Sequence, residues 1–231
     1  VARQGDIPLE PPLVAGPGIV RVQEDRSYLL FIAAALTSAL AGGFLLAVWG
    51  PLATTGDLAP SERAPWMVQA HGWIQLQGWA GLFVAGMAVR LIPRFAGRKP
   101  VPRSVTLPLL AALCIPVALR IGLQPYLAPE ANHRVGLIIS LATVPGTLGV
   151  AAVLAFVLVR GRKPAEPWRY FAWAGAGWWA AWACLSLYNV DDDSLGLFQP
   201  PRNDAFQWAV MLGAIGNFIW GVQSRSVPVF F

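Results

Sequence analysis

The groups able to do chemistry in this chain are few. Two histidines, His71 and His133, and two cysteines, Cys114 and Cys184, are scattered through 231 residues. His71 has the most polar surroundings, with Gln69, Gln75 and Gln77 beside it in an otherwise apolar stretch. At helical spacing His71, Gln75, Gly78, Leu82, Gly86 and Arg90 form one stripe, which reads as a polar strip facing protein. An imidazole in such a place can ligate a metal, and a b-type haem between helices needs one or two imidazoles and apolar walls. Trp73, Trp79, Phe83 and the cluster Trp178, Trp179, Trp182 could supply the walls, and His133 the second ligand. Both histidines are expected near the same outer face, one or two helical turns apart in depth. Met67 and His71, four residues apart, offer an alternative copper site. Arg90 and Arg225 could hold haem propionates or lipid phosphate from the opposite side. The plainer alternatives are that His71 is a hydrogen-bonded packing residue, His133 a solvated loop residue and the two arginines snorkelling side chains.

The elements that must position these groups follow from composition. At 56% hydrophobic, 13% charged and mean hydropathy +0.53, the chain has too few charges to cover a soluble globule, which excludes a water-soluble enzyme. Crossing a hydrocarbon core of roughly 30 Å takes about 20 helical residues. Six apolar stretches qualify, at about 27–50, 65–92, 105–123, 135–159, 168–188 and 205–222. None alternates with period two, so the expectation is an all-α polytopic bundle rather than a β-barrel. Residues 1–26 are rich in Pro and Gly, lack a helical period and read as an extended arm.

The charges are sorted. Thirteen of the 17 Lys and Arg fall on one side of these spans, at the amino-terminal arm, the 90–103 and 160–169 regions and Arg225; only Arg63, Arg120, Arg134 and Arg202 fall on the other, with the run Asp191, Asp192, Asp193. Such sorting predicts both termini in the cytoplasm, and basic runs that touch anionic lipid rather than nucleic acid. Cys114 and Cys184 lie inside spans without a CxxC pattern and read as apolar buried thiols.

The chain also resembles itself. At an offset of 135 residues the second and sixth spans share Trp73/Trp208, Gly78/Gly213, Gly81/Gly216, Phe83/Phe218, Gly86/Gly221, Arg90/Arg225, Pro93/Pro228 and Phe95/Phe230, against about two matches expected from composition. The same offset places the first span on the fifth, and the third and fourth would map beyond Phe231. The expected unit is therefore a four-helix repeat, with one and a half copies present and a carboxy-terminal continuation anticipated. The copies differ where ligands would sit: Phe206 takes the place of His71, and Asn217 that of Leu82.

The segment His71-Gly72-x-x-Gln75-x-x-Gly78-Trp79-x-Gly81-x-Phe83-x-x-Gly86, followed by Pro93-Arg94-Phe95, resembles a characteristic segment of the NnrS family, and Gly221-x-x-x-Arg225-x-x-Pro228-x-Phe230 is similar to its recurring helix end. The resemblance implies a polytopic membrane protein that binds haem and copper and serves bacterial resistance to nitric oxide and nitrosative stress, with His71 at a family histidine. The Trp-His-x-His-Glu-Met type segment of that family's amino-terminal part is absent here. Two functions are therefore expected from the sequence. One is an NnrS-like haem protein acting in nitric oxide chemistry or electron transfer. The alternative is a non-catalytic scaffold subunit that packs against other membrane subunits of a respiratory or photosynthetic complex without its own metal.

Overall fold

A computed structural model describes residues 26–49, 64–127, 129–161, 166–188 and 209–226. These residues are helical throughout their ordered elements, with no strand among them. Helix α1 begins at Tyr28–Ser38, passes through a π-helical turn, Ala39–Phe44, and runs on to Trp49. Helix α2 is Ala64–Trp73, a π-helical stretch Ile74–Gly81, and Leu82–Phe95. Helix α3 is Arg103–Gly122, followed by a short 3-10 turn at Gln124–Tyr126. Helix α4 is Pro129–Val159 and α5 is Pro167–Tyr188, each opened by a proline, which lacks the amide that a first helical turn cannot use. Helix α6 joins a π-helical stretch, Ala209–Gly216, to Asn217–Ser226.

Four helices are long and apolar enough to cross a bilayer, namely Tyr28–Trp49, Met67–Phe95, Arg103–Tyr126 and Arg134–Val159. That makes the chain a membrane protein whose apolar faces are suited to lipid, and these four helices coincide with the first four of the six expected spans. Helix α5 is long enough, at 22 residues, but Trp168, Trp173, Trp178, Trp179 and Trp182 stand in it where a span usually carries aliphatic side chains. The start of the expected sixth span, the arm at 1–25 and the matched positions Trp208, Pro228 and Phe230 lie outside the described residues.

Helix α2 is the centre of the bundle and touches α1, α3, α4 and α6. It is the least apolar of the four candidate spans and the most buried, as expected of a helix that faces protein on most sides. By contrast Leu36, Leu40, Phe44, Leu45 and Val48 leave one side of α1 exposed, and Ile138, Leu141, Leu148 and Phe156 do the same on α4. In water such faces would drive aggregation, whereas in a bilayer they need no cover.

Glycines set how closely the helices approach. A Cβ at Gly86 would lie 2.5 Å from the Cβ of Phe31, one at Gly78 would lie 2.9 Å from that of Ser38, and one at Gly43 would collide with the Gln75 amide. The same relation recurs between α5 and α6, where Gly221 abuts Phe171 and the Trp168 carbonyl, and Gly213 abuts the Trp178 ring. The π-helical stretches of α2 and α6 begin 135 residues apart and both end at the glycine before a regular α-helix. Their partners on α1 and α5 correspond at 140, since Phe31 and Ser38 do what Phe171 and Trp178 do. The sequence places α1 on α5 at an offset of 135; packing shifts that pairing by five residues.

The ends of the bundle are tied differently. At one end Thr106 donates a hydrogen bond to the Ser27 hydroxyl at 2.9 Å, and Arg169 donates to the Leu158 carbonyl at 2.6 Å, satisfying the end of α4. Arg26, Arg90, Arg94, Arg98, Lys99, Arg103, Arg160, Arg169 and Arg225 belong to this end. At the other end Trp49 meets Tyr126 with ring centroids 5.5 Å apart.

Candidate functional site

The stripe on α2 lies along α1. His71 and Gln75 meet Gly43, Gly78 meets Ser38, Gly86 meets Phe31, and the Arg90 guanidinium sits 4.8 Å from the Tyr28 ring centroid. His71 is half-buried, and its Nδ1 is 2.9 Å from the Gly43 carbonyl oxygen. A carbonyl only accepts, so Nδ1 carries the proton and the lone pair is on Nε2. Gly43 falls in the π-helical turn of α1. A π turn shifts the backbone register and can leave a carbonyl free for a side-chain donor. The π-helical stretch of α6 shows the same device, with Asn217 Nδ2 donating to the Gly213 carbonyl at 2.7 Å. The difference between Leu82 and Asn217 thus has a structural account, as a side chain that satisfies a backbone group.

An imidazole that donates from one nitrogen to a backbone carbonyl, with the other nitrogen as its lone-pair donor, has the arrangement common to metal-bound histidines. One such group meets the axial requirement of a haem. For copper the fit is poorer. Met67 is buried one turn away, and the described residues contain no group of three His, Cys, Asp or Glu side chains that could enclose an ion. His133 is in the first turns of α4, and its side chain lies outside the described residues. Of the expected apolar walls, Trp73, Trp179 and Trp182 are buried, the last two 5.0 Å apart, while Trp79, Phe83 and Trp178 lie on exposed faces.

Arg90 and Arg225 are both at the basic end but have different company. Arg225 pairs with Glu166, which also accepts from Trp168 Nε1 at 3.2 Å. A propionate or phosphate at Arg225 would have to displace that carboxylate. Trp168 is buried edge-on against Phe95, with ring centroids 5.6 Å apart. Cys184 is on an exposed face rather than buried, and Cys114 is half-buried; both are free thiols.

The charge sorting places Arg120 at the outer end of the bundle without a role; it is a buried residue near that end of α3, 3% exposed. Its Nη1 donates to Gln124 Oε1 at 3.2 Å, and Gln124 Nε2 donates to Gln69 Oε1 at 2.8 Å, while the guanidinium lies 5.1 Å from the Trp73 ring centroid. Its Nε has no partner among the described residues. The signal was available, because Arg120 falls inside the predicted third span and Gln124 follows at helical spacing. On the α4 side, Gln77 donates to the Thr143 hydroxyl at 3.4 Å. The three glutamines near His71 thus divide between α1 and the α3 and α4 side, and α2 carries polar contacts on two faces. No protein-family model, curated protein or solved structure matches the chain.

Proposed function

We propose that this chain is an NnrS-like integral membrane protein of the bacterial inner membrane that binds haem b through His71 and acts in nitric oxide chemistry or associated electron transfer. The observation that carries the reading is the Nδ1 hydrogen bond from His71 to Gly43, which leaves Nε2 as the lone-pair donor on the central helix. Haem, when bound, would supply an iron able to take up nitric oxide or pass one electron. The chain's own part is to hold the ring tautomer and keep the polar stripe of α2 against α1. Arg90 stands nineteen residues from His71, about 28 Å along the helix, beyond the reach of a propionate on a haem held by His71, so at the basic end it would serve a lipid phosphate instead.

The same reading has six spans, both ends cytoplasmic and a repeated helix pair. The clustering of basic residues at one end of the bundle supports the orientation. The two π-helical stretches 135 residues apart, each followed by a glycine-faced α-helix, support the repeat. The decisive experiment is the reduced-minus-oxidised absorption spectrum of the purified protein beside His71→Ala. A b-type signal lost in the variant supports the proposal. A flat spectrum from protein of correct mass, together with a stoichiometric membrane partner, overturns it in favour of a scaffold subunit without its own metal.

A further inference from the structure

Helix α2 ends in a sharp turn written in its sequence. Gly97 has φ 66°, its amide bonds to the Arg94 carbonyl at 3.1 Å and the Arg98 amide to the Pro93 carbonyl at 2.7 Å. This pair of bonds is the Schellman arrangement, which requires a residue at ease with positive φ. The chain then runs through Pro100 and Pro102 into α3, so Arg98 and Lys99 are held on a short, stiff connection at the mouth of a cavity of about 710 Å³. Below them its walls are apolar, formed by Val105 at the start of α3 and Val153, Phe156 and Val157 in the last turns of α4.

The cavity is therefore two-sided, hydrocarbon-like beneath and cationic at the lip. Three further features favour an anion at the lip. Pro102 offers no side-chain cap to α3, and its carbonyl takes the amides of Val105 and Thr106, which leaves those of Arg103 and Ser104 at the positive end of the helix dipole beside the opening. Arg160 lies over the Phe156 ring at 4.2 Å and adds a third cation beside the same wall. Among the residues that line the cavity there is no carboxylate to compete. Its volume is in the range of small-molecule sites, and its position at the ends of α2, α3 and α4 is where headgroups meet the apolar part of a bilayer.

We propose that this cavity binds one anionic phospholipid, with an acyl chain against Val105, Val153, Phe156 and Val157 and the phosphate between Arg98, Lys99 and the first turn of α3. A free phosphate would share the headgroup chemistry but leave the apolar walls unused. The charge on the lip selects anionic over zwitterionic lipid, and the cavity, which continues from the lipid-facing side of α4 at Phe156, gives an acyl chain a way in from the bilayer.

The test is native mass spectrometry of the full chain purified in detergent and offered equimolar phosphatidylglycerol and phosphatidylcholine. The expected result is one phosphatidylglycerol retained at least about tenfold over phosphatidylcholine, with the preference abolished in the Arg98→Gln, Lys99→Gln double variant and kept in Arg98→Lys, Lys99→Arg. Ala152 also lines the apolar wall, so Ala152→Trp, which adds an indole there and leaves Arg98 and Lys99 in place, should remove the bound lipid and keeps the test decisive if the double Gln variant does not fold. Equal retention of the two lipids, or an Ala152→Trp protein that binds as before, overturns the proposal. So does displacement of phosphatidylglycerol by excess inorganic phosphate, which would mark a headgroup site alone.

Discussion

The ring Nδ1 of His71 and the carbonyl oxygen of Gly43, 2.9 Å apart, join the central helix to α1 at the end of the bundle away from the basic loops. The bond has two separable consequences, holding the helices together and exposing Nε2 as a ligand. His71→Gln keeps a donor that can reach Gly43 and is expected to remain within about 1 kcal/mol of the parent, while His71→Ala loses about that much more. Both lose any haem signal. Unfolding in mixed micelles, read with the absorption spectrum, checks the pair; a haem band that survives in either variant would remove His71 as the ligand.

Close approach at glycine can be tested by contrast. Gly86→Ala places its Cβ 2.5 Å from that of Phe31, which is attached directly to backbone and cannot swing away. We expect a loss of about 1–3 kcal/mol. Gly177→Ala meets nothing within 4 Å and lies inside helix α5, so it should be neutral or stabilise by up to about 1 kcal/mol. Equal effects of the two would mean that α1 and α2 do not pack as described.

Gln124 is fully buried and stands between Arg120 and Gln69. Gln124→Leu conserves bulk but leaves a charged donor and an amide oxygen short of partners at once. The expected loss is about 2–4 kcal/mol, above that of an ordinary hydrogen bond, because one partner is ionised. Gln69→Leu should cost less, since Arg120 keeps Gln124. The reverse order in an unfolding series would show that Gln124 is not the linking residue.

Arg225 and Glu166 are about one-third exposed, 35% and 27%, so water screens their attraction. Arg225→Gln is expected to cost no more than about 1 kcal/mol. The exchanged pair, Arg225→Glu with Glu166→Arg, should recover only part of that loss, because an arginine at 166 restores the ion pair but cannot accept from Trp168 Nε1. Complete recovery would show that the Trp168 hydrogen bond contributes nothing measurable.

Reading residues in order was enough to find helices wherever apolar length exceeded the bilayer requirement, to sort basic residues to one end, and to align α2 with α6 through Gly78, Gly86 and their counterparts. Those features are local: each depends on residues within a few turns or on a repeat that needs no partner. The same local evidence singled out His71 and the stripe leading to Arg90. What faces that stripe was settled only by packing. The π-helical turns at Gly43 and Gly213, which make a carbonyl available to His71 and Asn217, depart from the 3.6-residue period on which a sequence stripe is drawn. Arg120 reads as an end-of-span charge until Gln124, Gln69 and Trp73, from the following turn and from another helix, close around it. The cavity behind Arg98 and Lys99 is walled by Val105 at the start of α3 and by Val153, Phe156 and Val157 near the end of α4, about fifty residues further along the chain. Apolar length and composition decide that a segment is helical and buried in lipid or protein. Which polar groups find partners depends on side chains from distant elements, and that information exists only once the helices are packed.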